Sequence, residues 1–306
     1  MATKKATTKK TSTAKKAPSK STTTTKVKTV SAKPTVAAAA TAAPAARRPR
    51  VDSGIINIVL AELVGTFTLV TVALLGIKDI LPLYVGLTLV VLVLAIGAVS
   101  GSHVNPAVTF GLWVAKKIKL VLVPFYWGAQ FLGAMAAVVV MNAISGSQQA
   151  LDFGHFTQFS WTIVFVELIG TAIFLFGLVS VLSRADVSTG GKALGIGMSL
   201  AIGILVSNSL LAPAQTQAIT NYQQEAQSSQ DKTPDIPHVL YVPGATLNPA
   251  VALASTETTE SDLRGSTAAK DEKRFSRLSL EVIVGTLGGA AVGAGLARLL
   301  SYRFKG

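Results

Sequence analysis

Six long apolar stretches constrain this chain more than any other feature. They cover residues about 55–77, 81–99, 120–142, 161–182, 192–212 and 279–301. A helix rises about 1.5 Å per residue, so roughly 20 apolar residues span the hydrocarbon core of a bilayer. Half of the 306 residues are hydrophobic, which is too many for an ordinary soluble domain. The sequence therefore predicts an all-α membrane protein with six transmembrane helices.

The chain also contains an internal repeat. AELVGTFTLVTVALLG at 61–76 matches VELIGTAIFLFGLVSV at 166–181. GLTLVVLVLAIGAVSGSHVNPAV at 86–108 matches GIGMSLAIGILVSN at 195–208 followed, after an insertion, by GATLNPAV. The two repeats, about 55–142 and about 161–301, each contain three predicted spans and one NPAV motif. Three crossings is an odd number, so the second repeat enters the membrane from the opposite face. This pattern is typical of an inverted repeat with its axis in the membrane plane.

The two NPAV motifs read as helix starts. Asn caps the first turn through its side-chain oxygen, and Pro has no N–H to leave unpaired at the first helical position. About ten apolar residues separate Asn105 from Lys116, enough for a helix of about 15 Å, half the hydrocarbon thickness. Because a Gly/Ser-rich segment precedes it, a re-entrant loop with a half-helix is predicted in each repeat. The residues predicted to form the pore centre are Asn105, Pro106, Ala107, Asn248, Pro249 and Ala250.

The predicted centre suits a small neutral molecule. If the Asn oxygens cap the half-helices, the side-chain NH₂ groups of Asn105 and Asn248 are free to donate into the lumen. Two positive helix ends at one point repel a cation. Glu62 and Glu167 occupy equivalent places in the repeats, and they are expected, with His103, to support the re-entrant loops. The ordinary alternative places each Glu near a helix end in contact with water.

These motifs resemble those of the aquaporin and glycerol-facilitator (major intrinsic protein) family. The similar pieces are AELVGTF, SGSHVNPAVTFG, YWGAQFLGAMAAV, VELIGT and GATLNPA, over roughly 55–255. The resemblance implies six helices plus two half-helices, a pore in each protomer and a homotetramer. It also implies passive conduction of water or small neutral solutes. Polyols or ammonia are candidate solutes, and no cofactor is predicted.

The outer constriction departs from the family pattern. Most members have Arg directly after the second NPA, where this chain has Val251. Alignment on the motifs places the other constriction positions at Val85, Ile202 and Ala245. All four residues are small or aliphatic, so a wide and dry constriction is expected. The competing view is that a nearby residue, for example Arg264 or a side chain of the 213–243 insertion, folds in and replaces the missing charge.

The N-terminal tail and the rest of the chain differ in net charge. Residues 1–50 contain 13 Lys and Arg and no acidic residue, whereas the channel domain, 51–306, is neutral. The tail is predicted to be disordered, and contact with anionic lipid is favoured over nucleic acid. Basic residues cluster in loops on one side, which predicts a cell-membrane protein with both termini in the cytoplasm. Residues 214–238 are predicted to form a loop, and 256–278 a second loop or a short surface helix.

Several functions are disfavoured by what the sequence lacks. There is no Cys, and the three His lie far apart, so neither a disulfide nor a metal cluster is predicted. No nucleophile–base constellation or phosphate-binding loop indicates an enzyme. Two alternatives to a channel stay open, a secondary transporter of a small solute and a non-conducting membrane protein that acts through its tail and external loop.

Overall fold

The computed structural model describes residues 53–77, 80–146, 150–228, 234–267 and 272–303. The predicted disordered tail lies outside these residues. Nine α-helices occur in the described part of the chain: α1 Ser53–Leu75, α2 Leu81–Ser100, α3 Pro106–Val114, α4 Val123–Ser145, α5 Trp161–Ser183, α6 Thr189–Ser228, α7 Pro249–Ala254, α8 Glu260–Arg264 and α9 Leu280–Arg303. Two 3-10 helices, Leu120–Leu122 and His238–Tyr241, and a short parallel pair of strands, β1 Leu151–Asp152 and β2 Arg274–Phe275, complete the described elements.

Six of the helices, α1, α2, α4, α5, α6 and α9, are long and apolar enough to cross a membrane. The six predicted spans are therefore confirmed. Helix α1 packs on α2 and α4, α5 packs on α6 and α9, and α2 packs on α6 across the two repeats. The half-helices α3 and α7 have nine and six residues, or about 14 and 9 Å. Each contacts helices of both repeats, and the two contact one another.

Two glycines bring the repeats together where α2 crosses α6. A Cβ on Gly86 would lie 2.7 Å from the carbonyl oxygen of Gly197, and a Cβ on Gly197 would lie 2.3 Å from that of Gly86. Such close backbone contact is typical of membrane helices that pack through small residues. The contact is reciprocal, so Gly197 is the partner of Gly86. The sequence comparison had matched Gly86 with Gly195, two residues earlier.

Helix α6 differs most from its prediction. The span was expected to end near 212 and 214–238 to form a loop, but α6 continues through Pro213 to Ser228. Proline removes one helical hydrogen bond, yet the Gln, Ala and Glu residues that follow it are good helix formers. The extension is anchored, because Gln215 Nε2 donates to the carbonyl oxygens of Val239 and Val242 at 3.1 and 2.8 Å. The prediction of a short surface helix within 256–278 is met by α8.

Candidate functional site

The two NPA motifs start their half-helices in the same way. Asn105 Oδ1 accepts a hydrogen bond from the backbone N–H of Ala107 at 2.8 Å, and Asn248 Oδ1 accepts one from Ala250 at 2.9 Å. A proline follows each Asn at the first helical position. Both Asn side chains are buried. The local sequence alone accounts for this geometry, since it is the standard use of Asn and Pro at a helix N-terminus.

The Asn amide groups also tie the two repeats to each other. Asn105 Nδ2 donates to the carbonyl oxygen of Leu247 at 2.9 Å, and Asn248 Nδ2 donates to that of Val104 at 3.0 Å. The predicted donation into the lumen is therefore limited to one N–H of each group. One N–H of each group is used between the repeats, and a primary amide has a second N–H. The sequence could not show this, because the acceptors lie 142 and 144 residues away in the chain.

The residues that supply these carbonyls have an unusual backbone. Val104 has a φ of 45° and Leu247 a φ of 51°, both in the left-handed region. A β-branched residue such as Val rarely adopts this conformation, and it persists only where the surroundings enforce it. Here the N–H of Val104 donates to Glu62 and the N–H of Leu247 donates to Glu167.

Glu62 holds the first re-entrant loop through neutral donors. Its Oε1 accepts hydrogen bonds from Ser100 Oγ at 2.7 Å and from the backbone N–H of His103 at 2.9 Å. Its Oε2 accepts from the N–H of Val104 at 2.7 Å and from Gln130 Nε2 at 2.8 Å. The Glu62 side chain has no exposed surface. The alternative, in which Glu62 lies near a helix end in contact with water, is therefore wrong.

Glu167 holds the second loop at the equivalent place. Its Oε1 accepts from the N–H and the hydroxyl of Thr246 at 3.0 and 3.2 Å, and its Oε2 accepts from the N–H of Leu247 at 2.9 Å. A cation lies beside it, with Arg277 Nη2 at 3.7 Å from Oε1. Glu167 is also fully buried.

His103 contributes to the first loop mainly through its backbone. Its N–H binds Glu62, while its buried ring stacks on Tyr126 with centroids 4.3 Å apart. The ring Nδ1 lies 3.1 Å from the hydroxyl oxygen of Thr109 on α3. The side chain therefore fixes the loop against α3 and α4.

A cavity of about 410 Å³ lies next to the second NPA motif and is called the mouth cavity here. Its wall includes Asn248 and three of the predicted constriction residues, Val85, Ala245 and Val251. Ile202 was misplaced: 47% of it is exposed, and Ile204 lines the mouth cavity instead. Two residues along a helix are about 200° apart around its axis, so an error of two positions moves a side chain to the opposite face.

The arginines near the mouth cavity are not those that the sequence suggested. Arg264 pairs with Glu260 at 2.7 Å and donates to the hydroxyl of Tyr222 at 3.2 Å, and it does not line the mouth cavity. Arg274 and Arg277, which the sequence did not single out, do line it. The view that Arg264 supplies the charge missing at the constriction is therefore wrong.

Arg277 is the largest fully buried side chain in the described part of the protein, with 1% of it exposed. Its Nη2 lies 3.7 Å from Glu167 and its Nη1 lies 3.5 Å from Glu281. Its Nε and Nη2 have no hydrogen-bond partner among the described residues. The charge of Arg277 is thus enclosed between two carboxylates.

A second polar cluster lies beside the mouth cavity. His155 Nδ1 is 2.7 Å from Glu257 Oε2, His238 Nε2 is 2.9 Å from Glu257 Oε1, and His238 Nδ1 is 3.2 Å from Glu281 Oε1. Burial by itself lowers the pKa of His238, but contact with the two carboxylates outweighs it and raises the pKa to about 9. Burial raises the pKa of Glu257, whereas the hydrogen bonds from both imidazoles lower it below its usual value.

No pattern in the sequence points to this cluster. Residues 155, 238 and 257 show no metal-ligand spacing, and the separation of the three His had argued against any cluster. The fold nevertheless brings two of the three His to one carboxylate.

Comparison with known proteins agrees with this architecture. The family model described as "Major intrinsic protein" matches residues 51–216. Aquaporin Z of Photorhabdus laumondii is 31% identical over 192 residues, which are 53% of this chain and 83% of that protein. Aquaporin NIP2-1 of Zea mays is 32% identical over 137 residues, 43% of this chain and 46% of that protein.

The X-ray structure of the aquaglyceroporin from Plasmodium falciparum gives a TM-score of 0.48 at 20% identity, over 80% of this chain and 97% of that one. The described architecture has six candidate spans and two half-helices whose Asn residues bond across the repeats. On the family match, the chain belongs to the major intrinsic protein family and is a passive channel for water and small neutral solutes. This family is one of channels, so the transporter and non-conducting alternatives have no support.

Proposed function

We propose that this channel admits bulkier or less polar neutral solutes, such as polyols or ammonia, in addition to water. The observation that carries the proposal is the aliphatic ring at the mouth cavity. Val85, Ile204, Ala245 and Val251 all line that cavity, and their side chains offer neither charge nor hydrogen bonds. Such a ring guides a solute through backbone carbonyls alone, and a dry constriction can dewet and slow water.

The pore centre acts as the barrier to ions in this proposal. The second N–H of Asn105 and of Asn248 donates to the oxygen or nitrogen of a passing solute. The N-termini of α3 and α7 add positive potential at the same point, because both half-helices begin there. A cation is repelled, and a water held by two donors cannot easily relay a proton.

Arg277 does not restore the missing constriction charge. Its guanidinium is buried and lies between Glu167 and Glu281, so its field at the ring formed by Val251 is compensated. The ring of Val85, Ile204, Ala245 and Val251 itself therefore carries no charge. The protein acts through this pore and not as an enzyme.

The channel is proposed to function as a homotetramer in the cell membrane with both termini in the cytoplasm. Lys116, Lys117, Lys119, Arg184 and Lys192 would then lie on the cytoplasmic side, in agreement with the positive-inside rule. Many large apolar side chains, such as Val91 and Leu132 at 62% exposed, lie on the outer faces of the spans. These faces suit contact with lipid and with neighbouring subunits. The basic tail, 1–50, is proposed to contact anionic lipid headgroups, with nucleic acid the less favoured partner.

The test is the substitution Val251→Arg, with Val251→Leu as the control for added bulk. Proteoliposome swelling with water, glycerol and ammonia measures the solute range, and sodium and proton gradients are varied to detect coupled transport. Arg supplies a charge and a fork of donors at the ring. We expect glycerol and ammonia flux to fall roughly tenfold, equivalent to about 1.4 kcal/mol in the barrier, with a smaller loss of water flux. A Val251→Arg channel with the solute range of the parent would contradict the open constriction.

A further inference from the structure

Two histidines from separate segments contact one carboxylate, on a third segment, beside the mouth cavity. His155 lies between β1 and α5, His238 starts a 3-10 helix, and Glu257 follows α7. One ligand atom from each of the three residues lies within 4.8 Å of the others. No other group of three His, Cys, Asp or Glu side chains in the described part of the chain converges in this way.

The donor set suits a borderline transition metal. Two imidazole nitrogens and one carboxylate are a common set for Zn²⁺, whose bonds to nitrogen and oxygen are about 2.0–2.2 Å long. Ligand atoms around a tetrahedral ion therefore lie about 3.3 Å apart. The Glu257 oxygens are now 2.7 and 2.9 Å from the two imidazole nitrogens. Around one ion the two Glu257 contacts would lengthen by about 0.4–0.6 Å, and the two imidazole nitrogens, now within 4.8 Å of each other, would lie about 3.3 Å apart.

The surroundings orient both imidazoles. The His238 ring has Nε2 towards Glu257 and Nδ1 3.2 Å from Glu281, and the other oxygen of Glu281 accepts the N–H of Ser160 at 2.8 Å. A carboxylate on the far nitrogen is the usual second partner of a metal-binding His. The His155 ring stacks on Phe275 with centroids 3.5 Å apart. These contacts hold the nitrogens in place before any ion arrives.

The cluster is sheltered but can be reached from solvent. The side chains of His155, His238 and Glu257 are 14%, 9% and 1% exposed. His155 also lines a neighbouring open cavity of about 510 Å³, which gives an entry path and space for a water in the fourth coordination position. Glu257 lines the mouth cavity on the other side.

We propose that His155, His238 and Glu257 bind one Zn²⁺ or a chemically similar divalent transition-metal ion at the channel mouth. The ion would join three segments that are otherwise held by hydrogen bonds and short contacts. This inference does not depend on which solute the channel conducts.

The test is equilibrium dialysis and calorimetry of the full chain with ZnCl₂, in detergent and without a histidine tag. Residues 1–50 contain no His, Cys, Asp or Glu, so the tail adds no such ligand. We expect saturation at one Zn²⁺ per chain and a higher unfolding temperature in its presence, because the ion binds the folded state. His155→Ala, His238→Ala and Glu257→Gln should each weaken binding tenfold or more, and Glu281→Gln by roughly tenfold.

Glu260→Gln is the matched control, because Glu260 is acidic and nearby but pairs with Arg264. It should leave Zn²⁺ binding unchanged. Binding that is absent, or equally strong in all five variants, would overturn the site. If a variant fails to fold, X-ray absorption of Zn²⁺-loaded parent protein decides the question. Imidazole scattering supports the proposal, and a shell of oxygen ligands alone refutes it.

Discussion

Glu62 in the first repeat and Glu167 in the second hold equivalent loops, and neither side chain has any exposed surface. Glu62 is surrounded by neutral donors, including Gln130 Nε2 at 2.8 Å. Glu167 has fewer such donors and instead lies 3.7 Å from Arg277. The same structural task is therefore done by hydrogen bonds alone in one repeat and by hydrogen bonds plus an ion pair in the other.

The difference has consequences for the surroundings of each loop. The partners of Glu62 come from its own repeat, on α2, α4 and the loop itself. Arg277 also contacts Glu281, which in turn contacts His238 and, through it, Glu257. The second loop is thereby connected by a chain of charged contacts to the proposed metal site. An inverted repeat preserves backbone geometry while the charges around it are free to diverge.

The largest expected effect comes from removing each carboxylate in turn. Glu167→Gln leaves a buried guanidinium with one counter-ion fewer, which should lower the free energy of unfolding by about 3–5 kcal/mol. Glu62→Gln replaces one acceptor oxygen by an amide NH₂ that faces neutral donors. It should lower the free energy of unfolding by about 1–3 kcal/mol. Tryptophan fluorescence during unfolding in detergent measures both, since the chain has three Trp.

The double variant Glu167→Gln, Arg277→Met sharpens this comparison. Removing both charges should recover much of the loss caused by Glu167→Gln, since the uncompensated cation is gone. Equal losses for the two single variants, together with no recovery in the double variant, would show that Arg277 does not balance Glu167.

A smaller and more symmetrical effect is expected at the two Asn residues. Asn105→Asp and Asn248→Asp each remove a donor to the opposite repeat and place an oxygen beside a carbonyl, at a cost of about 1–3 kcal/mol each. The two losses should be similar, because the two contacts are 2.9 and 3.0 Å long. Potassium leak into proteoliposomes should rise in both variants. Unchanged leak and unchanged water flux in both would remove the pore-centre assignment.

The smallest effect on stability is expected at an exposed ion pair, which serves as a reference for the buried pair of Glu167 and Arg277. Arg184 and Asp186 pair between α5 and α6, with 61% and 66% of their side chains exposed. The hydrogen bond from Arg184, with one from the backbone, lowers the pKa of Asp186 to about 2. A lowered pKa contributes stability above the unfolded value, and that contribution is lost as the pH falls through about 2.

Asp186→Asn should therefore change the unfolding midpoint very little from pH 5 to 8, because exposed pairs are weak and screened by salt. Any difference from the parent should shrink between about pH 4, where Asp186 is protonated in the unfolded chain, and about pH 2, where it is protonated in the folded protein. A loss at neutral pH as large as that of Glu167→Gln would contradict the distinction between buried and exposed pairs.

The sequence alone determined the six spans and the two half-helices, and it favoured Glu62 and Glu167 as supports of the re-entrant loops. These features depend on the length of apolar stretches, on Asn-Pro at a helix start and on the internal repeat. All three signals are local or arise from comparing two similar segments. These signals can be recognised without knowing which distant parts of the chain come into contact.

Tertiary structure alone decided which side chains meet. Ile204 rather than Ile202 lines the mouth cavity, since the rotation of α6 about its axis is set by packing such as that between Gly86 and Gly197. The amides of Asn105 and Asn248 bind across the repeats, and His155 and His238 converge on Glu257. In each case folding brings residues far apart in sequence within hydrogen-bond distance. Apolar patterning specifies that a helix crosses the membrane. The neighbours of each side chain depend on helix rotation and on contacts that no local pattern encodes.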